Sequence, residues 1–271
     1  MRHLLLLLFC SALALQAQAP APTAPRPIQR ELLRVPTRPG VVQPCLMLTE
    51  SAAPRAVALL YMGGLGAVHL ERRSVAEVLG PKGNFLLRSA EQILSPELAV
   101  AIVDAPSDQA SGMEDTFRMS DAHVMDQRLL VVALRQRLPG SKVVLVGTSR
   151  GTISAAYLAQ ALGPAIDGVV LTSTVFRASK RGLGLSLFHF ETLKVPLLLV
   201  HHAEDGCPVC PFKEAQDLKA LGPLITVRGS IEPESGPCDP LSNHGYFGRE
   251  TAVAQALRHW ILGEPFPREI P

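Results

Sequence analysis

A serine becomes a nucleophile at neutral pH when a base takes its proton and a third group holds that base in one tautomer. Groups of these types stand at three separated places in the 271-residue sequence. Ser149 lies in Gly147-Thr-Ser-Arg-Gly151, directly after the apolar run Lys142-Val-Val-Leu-Val146 and ahead of a helical pattern. Glycines on both sides of such a strand-to-helix turn let the two backbones approach closely and lift the serine hydroxyl off the sheet. The hydroxyl then sits at a helix N-terminus, where developing negative charge is favoured. The bland alternative is a turn made by Gly147 and Gly151 with Ser149 as a helix cap.

The acid and the base are expected later in the chain. Pro196-Leu-Leu-Leu-Val200 ends in His201-His-Ala-Glu-Asp-Gly206, which places carboxylates at the carboxyl end of a strand, where α/β sheets build their sites. Asp205, before Gly206, has a short side chain that can turn towards a neighbouring loop and is preferred to Glu204. His201 and His202 read as satisfied strand-end histidines. His244, in Ser242-Asn-His-Gly-Tyr-Phe247 just ahead of a last helix, is the expected base. The order Ser149, Asp205, His244 is the nucleophile, acid, base order of one hydrolase architecture. His69, His123, His189 and His259 lie in or beside helical patterns, or in loops without a strand-end carboxylate, and read as packing or surface residues.

Attack on a carbonyl also needs backbone N–H groups aimed at the oxyanion. One is expected from Arg150, the residue after the serine, and one from the loop Met62-Gly-Gly-Leu-Gly66, with Gly64 as first choice and Leu65 as alternate. A Gly-Gly-x-Gly run could equally be a phosphate loop or a plain turn, but no Gly-Lys-Ser/Thr follows it, which disfavours nucleotide.

The elements that must carry these groups are short apolar runs divided by helical patterns, the signature of a mostly parallel sheet covered by helices. Strands are predicted over 56–62, 98–103, 142–146, 168–171, 196–201 and 225–228, with one or two antiparallel strands within 31–49 bent at Pro36, Pro39 and Gly40. Helices are predicted from Ser120 to Pro139-Gly140, with Met125, Leu129, Val132 and Ala133 on the inward face, and over about 152–162 and 249–262. About 20 residues between Val175 and Pro196 leave room for one helix and none for a large lid domain.

At the N-terminus, Met1-Arg-His3, an apolar stretch from Leu4 to Leu15 and Gln16-Ala-Gln-Ala19 follow the order of a secretory signal peptide. The expected organisation is a leader over 1–19, a proline-rich tether over 20–30 and one domain over 31–271, with export to the periplasm or beyond. Pro20 directly follows the candidate cut and could displace it by a few residues. The apolar stretch falls short of the roughly 20 residues a spanning helix needs, and Cys10, inside it and preceded by Leu8 and Phe9, does not fit a lipidation site. The net charge of +2 falls to +1 without Arg2, and no Lys/Arg run resembles a phosphate footprint, so nucleic acid is not an expected partner.

Beyond the leader stand Cys45, Cys207, Cys210 and Cys238, which allow three full pairings in an oxidising compartment. A Cys207–Cys238 disulfide would tie the loop of the proposed acid to that of the proposed base, with Cys45 and Cys210 left to pair or stay reduced. The Cys207-x-x-Cys210 spacing reads weakly as a redox motif, because it follows a late strand, and weakly as zinc, because no second tight ligand pair accompanies it.

On Gly147-Thr-Ser-Arg-Gly-Thr152, Gly63-Gly-Leu-Gly66, His201-His-Ala-Glu-Asp-Gly-Cys207 and Asn243-His-Gly-Tyr-Phe247, residues 31–262 resemble the α/β-hydrolase superfamily. More narrowly, they resemble small secreted bacterial hydrolases related to the dienelactone-hydrolase group. Asn84-Phe-Leu-Leu-Arg-Ser89 and Asp104-Ala-Pro-Ser-Asp108 also resemble segments of such proteins, with no role attached. The resemblance implies an α/β-hydrolase fold, with helices on both faces of a mostly parallel sheet and no large lid. It also implies hydrolysis of an ester, lactone or similar acyl bond of a small molecule through an acyl-enzyme, without metal or organic cofactor. Two departures stand out. Dienelactone hydrolases use a cysteine where this chain has Ser149, and Met62 occupies a position where many relatives have histidine. An exported binding protein on the same fold, and acyl transfer or peptide cleavage by the same residues, are the alternative functions.

Overall fold

The computed structural model of the chain describes residues 27–229 and 231–271; the expected leader over 1–19 and the tether up to residue 26 lie outside them. Nine strands make one sheet: β1 (Gln29–Arg38), β2 (Val41–Thr49), β3 (Ala56–Tyr61), β4 (Leu98–Val103), β5 (Lys142–Thr148), β6 (Gly168–Thr172), β7 (Leu197–His202), β8 (Leu224–Val227) and β9 (Glu269–Ile270). Their spatial order is β1-β2-β4-β3-β5-β6-β7-β8-β9. β1 and β2 form an antiparallel hairpin through Pro39-Gly40, and β2 joins β4 antiparallel. From β4 to β9 every neighbouring pair is parallel.

Successive residues of the central strands feed opposite faces, as the pleat requires. Leu46, Leu48, Ala58 and Leu60 join one apolar core, closed by α1 (Val75–Val78), α2 (Phe85–Arg88), α3 (Ala90–Ile93) and α8 (Glu250–Leu262). Cys45, Met47, Leu59 and Tyr61 join the other, closed by α5 (Asp121–Arg137) and α6 (Gly151–Leu162). Two further short helices, α4 (Asp115–Arg118) and α7 (Phe212–Asp217), complete the α set among the described residues. With both faces covered, the strands are apolar throughout rather than alternating.

The strand order reverses at β3, which has β4 on one side and β5 on the other. The loops leaving β3 and β5 therefore diverge, and a crevice opens at their carboxyl ends. Gly63-Gly64 and Ser149 both stand on its rim, immediately after those strands.

Two expectations need correction, and two features lie outside what the sequence reading addressed. The sheet begins at Gln29, inside the span assigned to the tether. The inward face of α5 is made by His123, Asp126, Gln127, Leu130, Val131 and Leu134, whereas Met125 and Val132 are exposed. Polar side chains turn inward there because each of two finds a partner: Asp126 pairs with Arg38, and Gln127 accepts from Tyr61 Oη at 3.0 Å and donates to Gln43 at 2.7 Å. The segment between Val175 and Pro196 forms no α-helix, only a 3-10 turn at Phe190–Thr192. Its start is instead pinned by N–H bonds from Phe176 and Arg177 to the Val209 carbonyl. Finally, β9 closes the sheet edge as a two-residue strand that no periodicity announces.

Candidate active site

Ser149 occupies the turn between β5 and α6 with φ at +51°, a left-handed conformation that is strained for a residue with a Cβ. The turn is tight enough that a Cβ at Gly151 would lie 2.0 Å from the Tyr61 carbonyl oxygen, so only glycine fits. The Ser149 N–H donates to the Thr172 carbonyl at 3.0 Å, fixing the turn to the end of β6.

Asp205 and His244 are brought together: the His244 Nδ1–Asp205 Oδ2 distance is 3.0 Å, with both side chains buried. The other Asp205 oxygen accepts the Cys207 N–H at 2.9 Å. Glu204 is exposed and reaches the His244 loop only through its carbonyl, which accepts from Asn243 Nδ2. His244 Nε2 is buried without a hydrogen-bond partner among the described residues, and His244 and Ser149 line the same cavity.

The histidine loop is held from several sides. Ser173 Oγ donates to the His244 carbonyl at 2.6 Å. Tyr246, also left-handed, donates its hydroxyl to the Val200 carbonyl and accepts the Ser173 N–H. Arg88 reaches across from α2 to the carbonyls of Pro240 and Gly245 and to Glu250. The Cys207–Cys238 disulfide joins the Asp205 loop to the segment leading into His244. Cys45 and Cys210 are free and buried. Cys207, Cys210 and a His244 ring nitrogen lie within 4.8 Å of one another, but with Cys207 in a disulfide they offer a thiol and an imidazole, not three ligands.

His201 and His202 have structural partners. His201 Nε2 accepts the Thr174 N–H at 2.7 Å, and burial pushes its pKa down to about 4. His202 bonds the Gly229 carbonyl through Nε2 and accepts the Glu204 N–H through Nδ1.

Gly64 and Arg150 both border the cavity, whereas Leu65 does not line it. The Gly63–Gly66 loop is shaped by its surroundings. Gly66 N–H closes a turn onto the Gly63 carbonyl, and Met113 N–H donates to the Leu65 carbonyl at 2.7 Å. Arg118 donates to the Gly64 carbonyl at 3.1 Å, the Met113 carbonyl at 3.3 Å and Ser154 Oγ at 3.0 Å. This guanidinium is wholly buried, and burial, followed by the charge of Arg150, pushes its pKa down to about 9. Further along, the Asp104 carboxylate collects the N–H groups of Val68, His69, Leu70 and Ala105, which ties the post-β3 loop to the end of β4. The Arg150 side chain leaves the serine entirely and pairs with Asp115 and Glu114.

The cavity has a volume of about 640 Å³ and is bordered by Phe85, Val175, Val209 and Pro240 besides the polar groups already named. Lys180 and Arg181 stand exposed at its mouth. That size admits a small organic molecule. Among the described residues, no helix is long and apolar enough to cross a membrane.

Sequence reasoning passed over Asp115, Arg118 and Ser173, and left Asn84 and Asp104 without roles. An arginine and an aspartate three residues apart, or one serine after a strand, carry no recognisable spacing; the groups they serve lie far away in the chain.

No protein-family model and no curated protein matches the chain. Solved structures do. A lidless α/β serine hydrolase from Xanthomonas campestris superposes with a TM-score of 0.57 at 16% identity, over 89% of this chain and 97% of that one. A dienelactone hydrolase from Anabaena variabilis gives 0.54 at 19% identity, over 88% and 98%. Dipeptidyl peptidase 4 from Porphyromonas gingivalis gives 0.58 at 15% identity over 89% of this chain, which spans only 36% of that larger protein. Together with the strand order, these likenesses define the architecture as the α/β-hydrolase fold without a lid domain among the described residues.

Proposed function

We propose that the protein is a serine hydrolase that cleaves an ester, lactone or similar acyl bond of a small molecule through an acyl-enzyme, with Ser149 as nucleophile, His244 as base and Asp205 as the acid that orients it. The observation that carries this reading is the His244 ring itself. Its Nδ1 is committed to a buried carboxylate, while its Nε2 is unpartnered and its side chain lines the cavity that Ser149 also lines. Such an arrangement suits proton transfer from the serine hydroxyl, and that contact commonly tightens only with substrate bound.

In the proposed cycle Ser149 Oγ attacks the carbonyl carbon as its proton passes to His244 Nε2. The N–H groups of Gly64 and Arg150 receive the oxyanion. Collapse expels the alcohol, which takes the proton from His244, and water repeats the sequence on the acyl-enzyme. Asp205 holds the ring in the tautomer with Nε2 free and stabilises the imidazolium. The Cys207–Cys238 disulfide supports the reading of an exported protein, since such bonds persist in oxidising compartments.

The test is labelling with a fluorophosphonate, located by peptide mass spectrometry. Label on Ser149, absent from Ser149→Ala, is expected. A folded protein that neither labels nor hydrolyses 4-nitrophenyl butyrate overturns the assignment and favours a binding protein on this fold.

A further inference from the structure

We propose that the side-chain amide of Asn84 is a third oxyanion donor, alongside the Gly64 and Arg150 N–H groups. The proposal rests on the serine-hydrolase reading and refines it.

Asn84 caps α2, and its Oδ1 accepts the Leu86 N–H at 3.1 Å. That bond commits the oxygen and leaves Nδ2, the donor end of the amide, turned away from the helix. Nδ2 packs against Gly63. A Cβ built on Gly63 would lie 3.2 Å from Asn84 Nδ2 and 2.9 Å from Ser149 Cβ. The amide and the nucleophile therefore flank one glycine, and its missing side chain is what allows both to approach. Asn84 borders the same cavity as Ser149, Gly64, Arg150 and His244. Its Nδ2 donates to no other group among the described residues, whereas its oxygen is used.

A donor is useful in catalysis when it is held in place before charge develops. α2 meets that condition. Its Arg88 bonds the Pro240 and Gly245 carbonyls and Glu250, and Phe85 stacks edge-on against Tyr246 with ring centroids 4.8 Å apart. The helix that positions Asn84 is thus fastened to the loop that carries His244. The segment Asn84-Phe-Leu-Leu-Arg-Ser89 acquires a role at each end: an amide facing the reacting carbonyl and an arginine bracing the base.

As Ser149 Oγ bonds to the carbonyl carbon, the C=O π pair moves onto oxygen, and Asn84 Nδ2–H donates to that oxygen. On collapse the pair returns and the bond to the leaving alkoxide breaks, with the proton supplied by His244. Asn84 neither gains nor loses a proton.

Three variants test this with 4-nitrophenyl butyrate as probe substrate. Asn84→Asp keeps the oxygen that caps α2 and removes the N–H donor; Asn84→Ser keeps a cap without charge but cannot reach the oxyanion; Asn84→Ala removes both. By analogy with other single oxyanion donors, Asn84→Asp and Asn84→Ser are expected to lower kcat by roughly 10²-fold. KM should stay within about twofold and the thermal midpoint should stay near that of the wild type, as an interaction made only in the transition state requires. If both variants keep kcat within about threefold while Asn84→Ala is merely less stable, Asn84 is a helix cap and the proposal falls. Loss confined to Asn84→Asp also overturns it, since that would report an added charge. An inert wild type, with no label on Ser149, overturns the hydrolase reading instead and takes this proposal with it.

Discussion

Ser173 Oγ donates to the carbonyl of His244 at 2.6 Å, and the residue before it, Thr172, accepts the N–H of Ser149. One dipeptide at the end of β6 thus holds both the proposed nucleophile and the proposed base, although the three stretches are far apart in the chain. Ser173 is buried and left-handed, with φ at +46°. Strain of that kind persists where the surroundings over-determine it. Ser173→Ala is expected to lower kcat about tenfold, the equivalent of one neutral hydrogen bond. Because the hydroxyl acts through His244, the pH profile of kcat/KM should shift in the variant; an unchanged profile and rate would remove Ser173 from the positioning role.

Ser149→Ala should lose at least ~10³-fold in rate if Ser149, Asp205 and His244 act as a unit. Asp205→Asn should be severe as well, because an amide can hold the imidazole in the wrong tautomer. Glu204→Gln should stay within a few-fold, since Glu204 offers the site only a backbone carbonyl. Steady-state kinetics of the three variants decide the matter, and a Glu204 variant worse than the Asp205 one would reverse the choice of acid.

The parts of the molecule that sequence revealed are those whose signal is local. β3 to β8 are apolar runs bounded by turns, and the Ser149 turn is a five-residue pattern between a strand and a helix. Hydropathy misplaces the inward face of α5 because Asp126 and Gln127 face inward on partners supplied by Arg38, Tyr61 and Gln43, and His123 is buried beside them, while Met125 and Val132 face water. Hydrophobic letters alone place the wrong stripe inside. α1 to α4 span one turn each, too short for periodicity to register. Asn84, Arg118 and Ser173 gain their significance from contacts made across the fold; the segment of Asn84 carries a resemblance without a role, and nothing in the immediate sequence of Arg118 or Ser173 marks them.

Reduction of the Cys207–Cys238 bond opens a loop with a sequence separation of 31. Chain-entropy arguments place the stabilisation of a native bond closing such a loop at about 3–4 kcal/mol. Reducing agent, or Cys238→Ser, is therefore expected to lower the thermal midpoint and also to lower kcat, because the bond joins the loops of Asp205 and His244. Thermal melts and kinetics with and without reductant check both. Lost stability with unchanged kcat would limit the bond to a structural role.

Two buried imidazoles make acid stability a readable property. Burial, with lesser contributions from Arg118 and Arg38, pushes the pKa of His123 down to about 3, and burial pushes His201 down to about 4. In the unfolded chain both titrate near 6.5, so between about pH 6.5 and the folded values the unfolded state binds more protons and stability falls as pH falls. At 1.36 kcal/mol per pH unit, each should cost roughly 2 kcal/mol between pH 7 and pH 5. Urea unfolding across that range should show the slope, and His123→Phe should flatten part of it. A stability independent of pH over this range would mean that the imidazoles are hydrated rather than sealed.

Arg118 deserves the most discriminating test, because it joins two parts of the site without bordering the cavity. Its guanidinium spans the Gly64 carbonyl on the post-β3 loop and Ser154 on α6, the helix that begins just after Ser149. Gly66 is its counterpart: a Cβ there would lie 2.6 Å from the guanidinium nitrogen. A planar fork can serve several acceptors at once, whereas an ammonium on a flexible stem cannot hold the same set. Arg118→Lys is therefore expected to lower kcat by about 10-fold to 100-fold with KM little changed, as the Gly64 N–H loses its fixed aim. Added guanidinium at millimolar concentration should restore part of the rate in Arg118→Ala and none in Ser149→Ala. If Arg118→Lys keeps the wild-type kcat, or loses rate only in proportion to lost folded protein, the arginine braces the fold and not the oxyanion loop.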